Sequence, residues 1–260
     1  MFNLIKADLY KLKKSTSIKV LFILCCIAAI IMYVISNQLT EGNLSHDIVG
    51  FGAFVTDFQM ISLASIVFIS MFICSDFDNK TIHDSISSGY SRGSIVVCKT
   101  ITYFISVLIF LLPYVVASII GICSGNSFEA FLPSVFQNIM KNDAEISFNF
   151  MVLLKIICIW ITIAIMYAGQ ISICLIIAFS IRKSVIVMSL GYIINTTIAQ
   201  LVKLDKLSDI FKLTPFGVDY SKLTLEAGAS VYGNFILTSV IFMAIVMILS
   251  YLSFRKAEIK

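Results

Sequence analysis

The chain has 260 residues, 59% of them hydrophobic and only 13% charged, with 21 Phe and a mean hydropathy of +0.98. A soluble domain carries about a quarter charged residues, so too little polar surface exists here to cover a water-soluble globule, and the composition selects lipid as the solvent. The net charge of +4 is not gathered on a polar domain, which argues against a nucleic-acid partner, and the seven Cys, odd in number and without a CxxC, support neither a disulfide framework nor a zinc site.

From the N-terminus, Phe2, Ile5, Leu9 and Leu12 recur at helical spacing against Lys6, Asp8, Lys11, Lys13 and Lys14. This predicts an amphipathic basic helix within residues 1–17, lying flat on an anionic membrane surface. The polar start and the apolar run behind it are both too long for a secretory signal, and no A-x-A site follows.

Six stretches then lack Asp, Glu, Lys and Arg: Val20–Thr40, Phe58–Ser75, Thr100–Phe128, Ile156–Ile181, Ser184–Val202 and Ala227–Phe254. About 20 apolar residues cross the hydrocarbon core as a helix, which satisfies its own backbone hydrogen bonds where lipid cannot. The expected spans lie near 18–38, 58–75, 100–124, 154–181, 184–202 and 232–254. They do not alternate as barrel strands would. The fold class is therefore all-α integral membrane, with six transmembrane helices in one domain.

Lys and Arg set the orientation. With a cytoplasmic N-terminus, one side holds Lys6, Lys11, Lys13, Lys14, Lys19, Lys80, Arg92, Lys99, Arg182, Lys183, Arg255, Lys256 and Lys260, which is 13 of 19. Ten of the 15 acids, Asp57 among them, fall on the other side. A multi-pass protein of the cell membrane with both termini cytoplasmic is the expectation.

Between spans two and three runs the polar segment DFDNKTIHDSISSGYSRGSIVVCK, Asp76–Lys99. A short acceptor at Asp78–Asn79 is suited to capping a helix, Ile82 and Ile86 lie four apart on one face, and Gly89 supplies a stop. Ser91–Arg92–Gly93–Ser94 returns the chain to the membrane, with Lys99 at the interface. On the far side, Phe128, Phe131, Leu132, Val135, Phe136, Ile139 and Met140 share one helical stripe around Pro133, and Leu204, Leu207, Ile210 and Phe211 share another before the Thr214–Gly217 turn. Both are expected as short helices anchored at the membrane surface.

No acidic or basic residue lies deep in an expected span, which disfavours an ion-coupled carrier. The two histidines fall in different loops, H-E-x-x-H is absent, and no glycine is followed by Lys, so neither a zinc protease nor a P-loop ATPase is written here. No catalytic residue is expected.

The polar segment resembles the first intracellular loop of bacterial ABC-2-type transporter permeases. The resemblance rests on Asp76–Phe77, Lys80–Thr81–Ile82, Gly89, Ser91–Arg92 and Lys99, together with an opening MFNLIKADLYKLKKS that looks like that family's elbow helix. Lys80 departs from it, because Gly is common there. In size the chain is similar to permeases of lantibiotic or bacteriocin immunity and peptide efflux. The resemblance implies a coupling site formed by Asp76, Phe77, Asp78, Lys80, Thr81, Ile82, His83, Ile86, Gly89, Ser91 and Arg92. It implies two copies of a cytoplasmic ATPase that carry the ATP and Mg, so that this chain binds no cofactor, and a second permease subunit, identical or homologous, with spans one and five at the interface. The cargo would be amphipathic or lipid-like, such as a membrane-active peptide. A membrane-embedded sensor or scaffold without transport is the alternative.

Overall fold

The computed structural model describes residues 2–41, 52–124, 134–140, 149–202, 204, 211–217 and 222–256. The amphipathic segment forms α1 (Phe2–Lys14), followed after Ser15 by α2 (Thr16–Thr40). Next come α3 (Asp57–Asp78), the short α4 (Thr81–Ser87) and the long α5 (Arg92–Cys123). The remainder is α6 (Val135–Met140), α7 (Phe150–Ile171), α8 (Ile173–Ile181), α9 (Ser184–Leu201) and α10 (Ala229–Lys256). Six of these helices are long and apolar enough to cross a membrane.

The bundle is graded from inside to outside. In α3 61% of the most apolar stretch is buried, against 17% in α9 and in α10, so α3 is the central post and those two present most of their surface to lipid or to a partner. α5 packs on α2, α3 and α7; α10 packs on α7 and α8; α9 packs on α3. Contacts between α1 and α5, and between the start of α5 and the end of α10, bring the first helix and the end of the last to one end of the bundle, here the terminal end.

Of three differences from the sequence expectation, two have local causes and the third is tertiary. The helix that carries the third span begins at Arg92, ahead of the span start expected near 100, because the Ser91 side chain accepts a hydrogen bond from the Ser94 N–H and caps the helix there. The fourth span is divided. Ser172 donates its hydroxyl to the Gly169 carbonyl at 2.6 Å, and the Leu175 N–H bonds to the Ser172 carbonyl, tightening one turn between α7 and α8. The chain over 150–181 would be about 48 Å long as one straight helix, well beyond a hydrocarbon core of about 30 Å, so a break there shortens its reach. Finally, α6 does not lie on the surface. Val135, Phe136 and Ile139 are buried, and Phe136 stacks on Tyr114 of α5 with ring centroids 5.6 Å apart. The neighbouring Phe128, Phe131, Leu132 and Pro133 lie outside the described residues, as do Leu207 and Ile210.

Candidate functional site: the base of a short helix at the terminal end

The short helix α4 is fixed by its two turns. Asp78 ends α3, and Asn79 and Lys80 form the corner, so α4 starts at Thr81 rather than at Asp78–Asn79. Lys80 adopts a left-handed conformation, φ +56°, which a side chain tolerates at a cost of about 1–2 kcal/mol. Glycine adopts that conformation without the cost. At the other end Gly89 takes φ +89°, with its N–H bonded to Ile86 O and the Tyr90 N–H to Ser85 O. These two bonds make a Schellman stop, for which a glycine is the ordinary choice.

Beneath α4 sits a buried ionic cluster. Asp76, in the last turn of α3, accepts a hydrogen bond from Lys99 Nζ of α5 at 2.5 Å and another from Lys11 Nζ of α1. Lys99 also donates to Asp8 of α1 at 2.6 Å. The Thr81 hydroxyl reaches both the Asp76 carbonyl, at 3.1 Å, and its carboxylate, at 3.0 Å. Lys99 lies over the Phe72 ring, 4.4 Å from its centroid. Two acids and two bases balance, so the cluster carries no net charge into the bundle. Buried ion pairs of this kind add little net stability, because desolvation offsets attraction, but removing one partner strands the others. The cluster therefore defines one relative position for α1, α3 and α5. The Asp8 carboxyl is held above the usual carboxylate range, chiefly by burial and against the Lys99 ammonium beside it, and its Oδ2 has no hydrogen-bond partner among the described residues.

A second anchor is aromatic. Phe77, next to Asp76, meets Phe179 of α8 and Phe254 of α10 edge-on at 6.2 and 6.0 Å, and those two rings are 5.3 Å apart. Arg182 lies over Phe77 at 4.8 Å and Arg92 over Phe254 at 5.4 Å. Arg92 Nη1 also donates to the Phe254 and Arg255 carbonyls at 2.9 and 2.8 Å, supplying the last turn of α10 with the donors it lacks. Through adjacent residues, the root of α4 is thus tied to five other helices.

The faces of α4 divide cleanly. Ile82 is 2% exposed and Ile86 packs partly against the core, while His83 is half-buried. Asp78, Lys80, Thr81, Asp84, Ser87, Ser88, Gly89 and Ser91 are exposed, and Arg92 is half-buried. The apolar pair therefore seats the helix, and the polar rim is what a soluble protein would meet. Around α1, Phe2, Lys6, Lys13 and Lys14 are exposed, Ile5, Leu9 and Lys11 are half-buried, and Leu12 is buried. The helix is rotated from the amphipathic expectation, so that Asp8 points inward with Leu12. Asp8, Lys99, Phe179 and Phe254 are site residues that hydropathy does not single out. The signal for Asp8 is its place beside Ile5, Leu9 and Leu12 on the inner half of the helix wheel.

At the far end a different polar group is buried. Asp57, the first residue of α3 and one of the far-side acids, is 0% exposed. Ser134 and Tyr167 donate their hydroxyls to it, the latter at 2.7 Å. Gln137 of α6 donates to Ser36 of α2 at 2.7 Å. These bonds, rather than a surface anchor, draw the Ser134–Met140 segment inward. Among the described residues there is no group of three His, Cys, Asp or Glu fit to hold a metal ion, and all seven cysteines are free thiols.

Set beside known proteins, residues 4–181 match the family described as ABC-2 family transporter protein. No curated protein matches the chain. The match covers more than half of the sequence, including α1, the ionic cluster, α4 and the spans as far as the end of α8, and the chain therefore belongs to the ABC-2 family of transporter proteins.

Proposed function

We propose that this chain is the permease subunit of an ATP-driven exporter and that α4 is its coupling helix. Two copies of a separate cytoplasmic ATPase bind ATP and Mg and dock on the exposed rim from Lys80 to Gly89. Two permeases, identical or homologous, enclose the cargo route at their interface. Both termini, α1 and α4 lie on the cytoplasmic side of the cell membrane, as the Lys and Arg bias requires. This chain itself holds no nucleotide and performs no hydrolysis.

The observation that carries the reading is the hydrogen-bonded link from Thr81 through Asp76 to Lys11 and Lys99. A push on α4 when the ATPase pair closes reaches Asp76 at once. Because Asp76 is held by two ammonium groups from two other helices, α1 and α5 must follow α3. A packed, ion-paired joint passes displacement on rather than absorbing it. The uncharged interior of the spans suits an amphipathic or lipid-like cargo, and a membrane-active peptide, exported for immunity or secretion, is the cargo class we assign.

The test is co-purification with a cytoplasmic ABC ATPase, sought first in the reading frame adjacent to this one. Reversing the exposed charge, Asp84→Lys, is expected to weaken ATPase binding about tenfold while leaving the thermal unfolding of the permease unchanged. Equal binding by the variant and the parent would place the docking surface elsewhere.

A further inference from the structure

The joint between α1 and α2 stands off from α3 and leaves a cleft of about 170 Å³. Its lining is layered along the bundle axis. Lys11, Ser15, Ser17 and Ser75 form a polar rim at the terminal end, and Leu21 and Met71, each one helical turn deeper than a rim serine, begin an apolar floor. Lys11 spends two of its three N–H groups on Asp76 and on Ser75 Oγ, the latter at 3.3 Å. Its side chain is still 40% exposed, whereas that of Asp76 is 4% exposed. Among the described residues no acid lines the cleft; of the exposed charges nearest its lining residues in sequence, Lys13, Lys14 and Lys19 are cationic and Asp78 alone is anionic. Met71 is itself exposed, and Val20, Ile23 and Leu24 of α2 are exposed nearby in sequence, so the cleft opens onto hydrocarbon.

We propose that the cleft holds the phosphate of one anionic phospholipid, with the first carbons of its acyl region lying between Leu21 and Met71. The phosphate takes the third N–H of Lys11 and the hydroxyls of Ser15 and Ser17, while the Ser75 hydroxyl donates to the Phe72 carbonyl. A cationic, hydroxyl-rich rim above an apolar floor at the membrane edge matches that chemistry, where a wholly apolar groove would match only an acyl chain. The bound lipid would share Lys11 with Asp76 and so bear on the joint below α4, giving membrane composition a direct hold on that joint.

The experiment uses the full chain in nanodiscs of phosphatidylcholine, alone or mixed with phosphatidylglycerol, with retained lipid counted by native mass spectrometry. One phosphatidylglycerol per chain is expected to remain in preference to phosphatidylcholine. Ser17→Trp fills the cleft while leaving both residues of the Lys11–Asp76 pair unsubstituted and is expected to lower that retention roughly fivefold, as is Met71→Trp, while Lys11→Arg keeps it. Equal retention of the two lipids, or retention unchanged in both Trp variants, overturns the proposal. So does efficient cross-linking of Ser17→Cys to the same residue of a second chain after removal of the native thiols, which would mean that a second permease covers the cleft. The readout requires no ATPase, so its failure and the failure of the exporter reading are distinguishable.

Discussion

α3 carries a buried carboxylate at each end, and the two are treated oppositely. Asp76 at the terminal end meets two ammonium groups and a hydroxyl, all drawn from other elements. Asp57 at the far end meets the hydroxyls of Ser134 and Tyr167, with no cation within ion-pair distance among the described residues. The first arrangement fixes a charge from several directions and locks three helices. The second is a hydrogen-bonded seat for a short segment that enters the bundle from one side. A joint meant to carry force needs the first; an element that closes one end of a bundle needs only the second.

The contrast is tested most severely at Lys99. Lys99→Ala strands Asp8, which has no other ionic partner among the described residues, and deprives Asp76 of one of its two; we expect a loss of about 3–5 kcal/mol, read as a large fall in thermal unfolding temperature in detergent. An unchanged transition would show that the cluster holds nothing in place. Next in size, Ile82→Asp puts a charge where only 2% of the side chain is exposed and should unseat α4 at a cost of about 2–3 kcal/mol, visible as faster protease cleavage within Asp78–Ser91. Cleavage at the parental rate would argue that α4 is seated by something other than its apolar face.

The amide substitution separates the two carboxylates. Asp76→Asn leaves two ammonium groups facing a neutral amide and is expected to cost about 2–3 kcal/mol, whereas Asp57→Asn keeps an acceptor for one hydroxyl and turns an N–H to the other, whose oxygen can accept it, and should cost about 1 kcal/mol. Equal effects, measured by the same unfolding assay, would erase the distinction between an ion-paired joint and a hydroxyl-lined seat. The smallest change is at the corner. Lys80→Gly relieves a left-handed backbone and is expected to raise stability by roughly 0.5–1 kcal/mol, net of the added freedom of the unfolded glycine. A destabilised variant would mean that the Lys80 side chain contributes more than its backbone costs.

Much of the molecule is legible in the amino-acid sequence. The six spans, the amphipathic start, the polar segment between spans two and three and its glycine stop all follow from hydropathy and turn chemistry, which act over a few residues at a time. The expectation that fails at the far end does so for a reason of the same kind. The stripe over Val135–Met140 is apolar whether it faces lipid or a bundle interior, and periodicity does not distinguish the two. Asp57 reads as a far-side loop residue because it borders a charge-free run, and nothing local announces Ser134 and Tyr167, 77 and 110 residues away, as its partners.

Hydropathy and turn chemistry are enough to establish that this chain lives in lipid, how many times it crosses and where its polar segment lies, because every backbone group in hydrocarbon must be paired within its own helix. They do not say which charges are paired, how α1 is rotated, where the fourth span breaks or which face of α4 is free. Those are matters of tertiary packing. Lys11 and Asp76 are 65 positions apart, and Asp8 and Lys99 are 91 apart. Only the docking of one helix on another brings such residues within a hydrogen bond of each other, and in a low-dielectric interior it is that docking which settles whether a buried charge is a cost or a fastening.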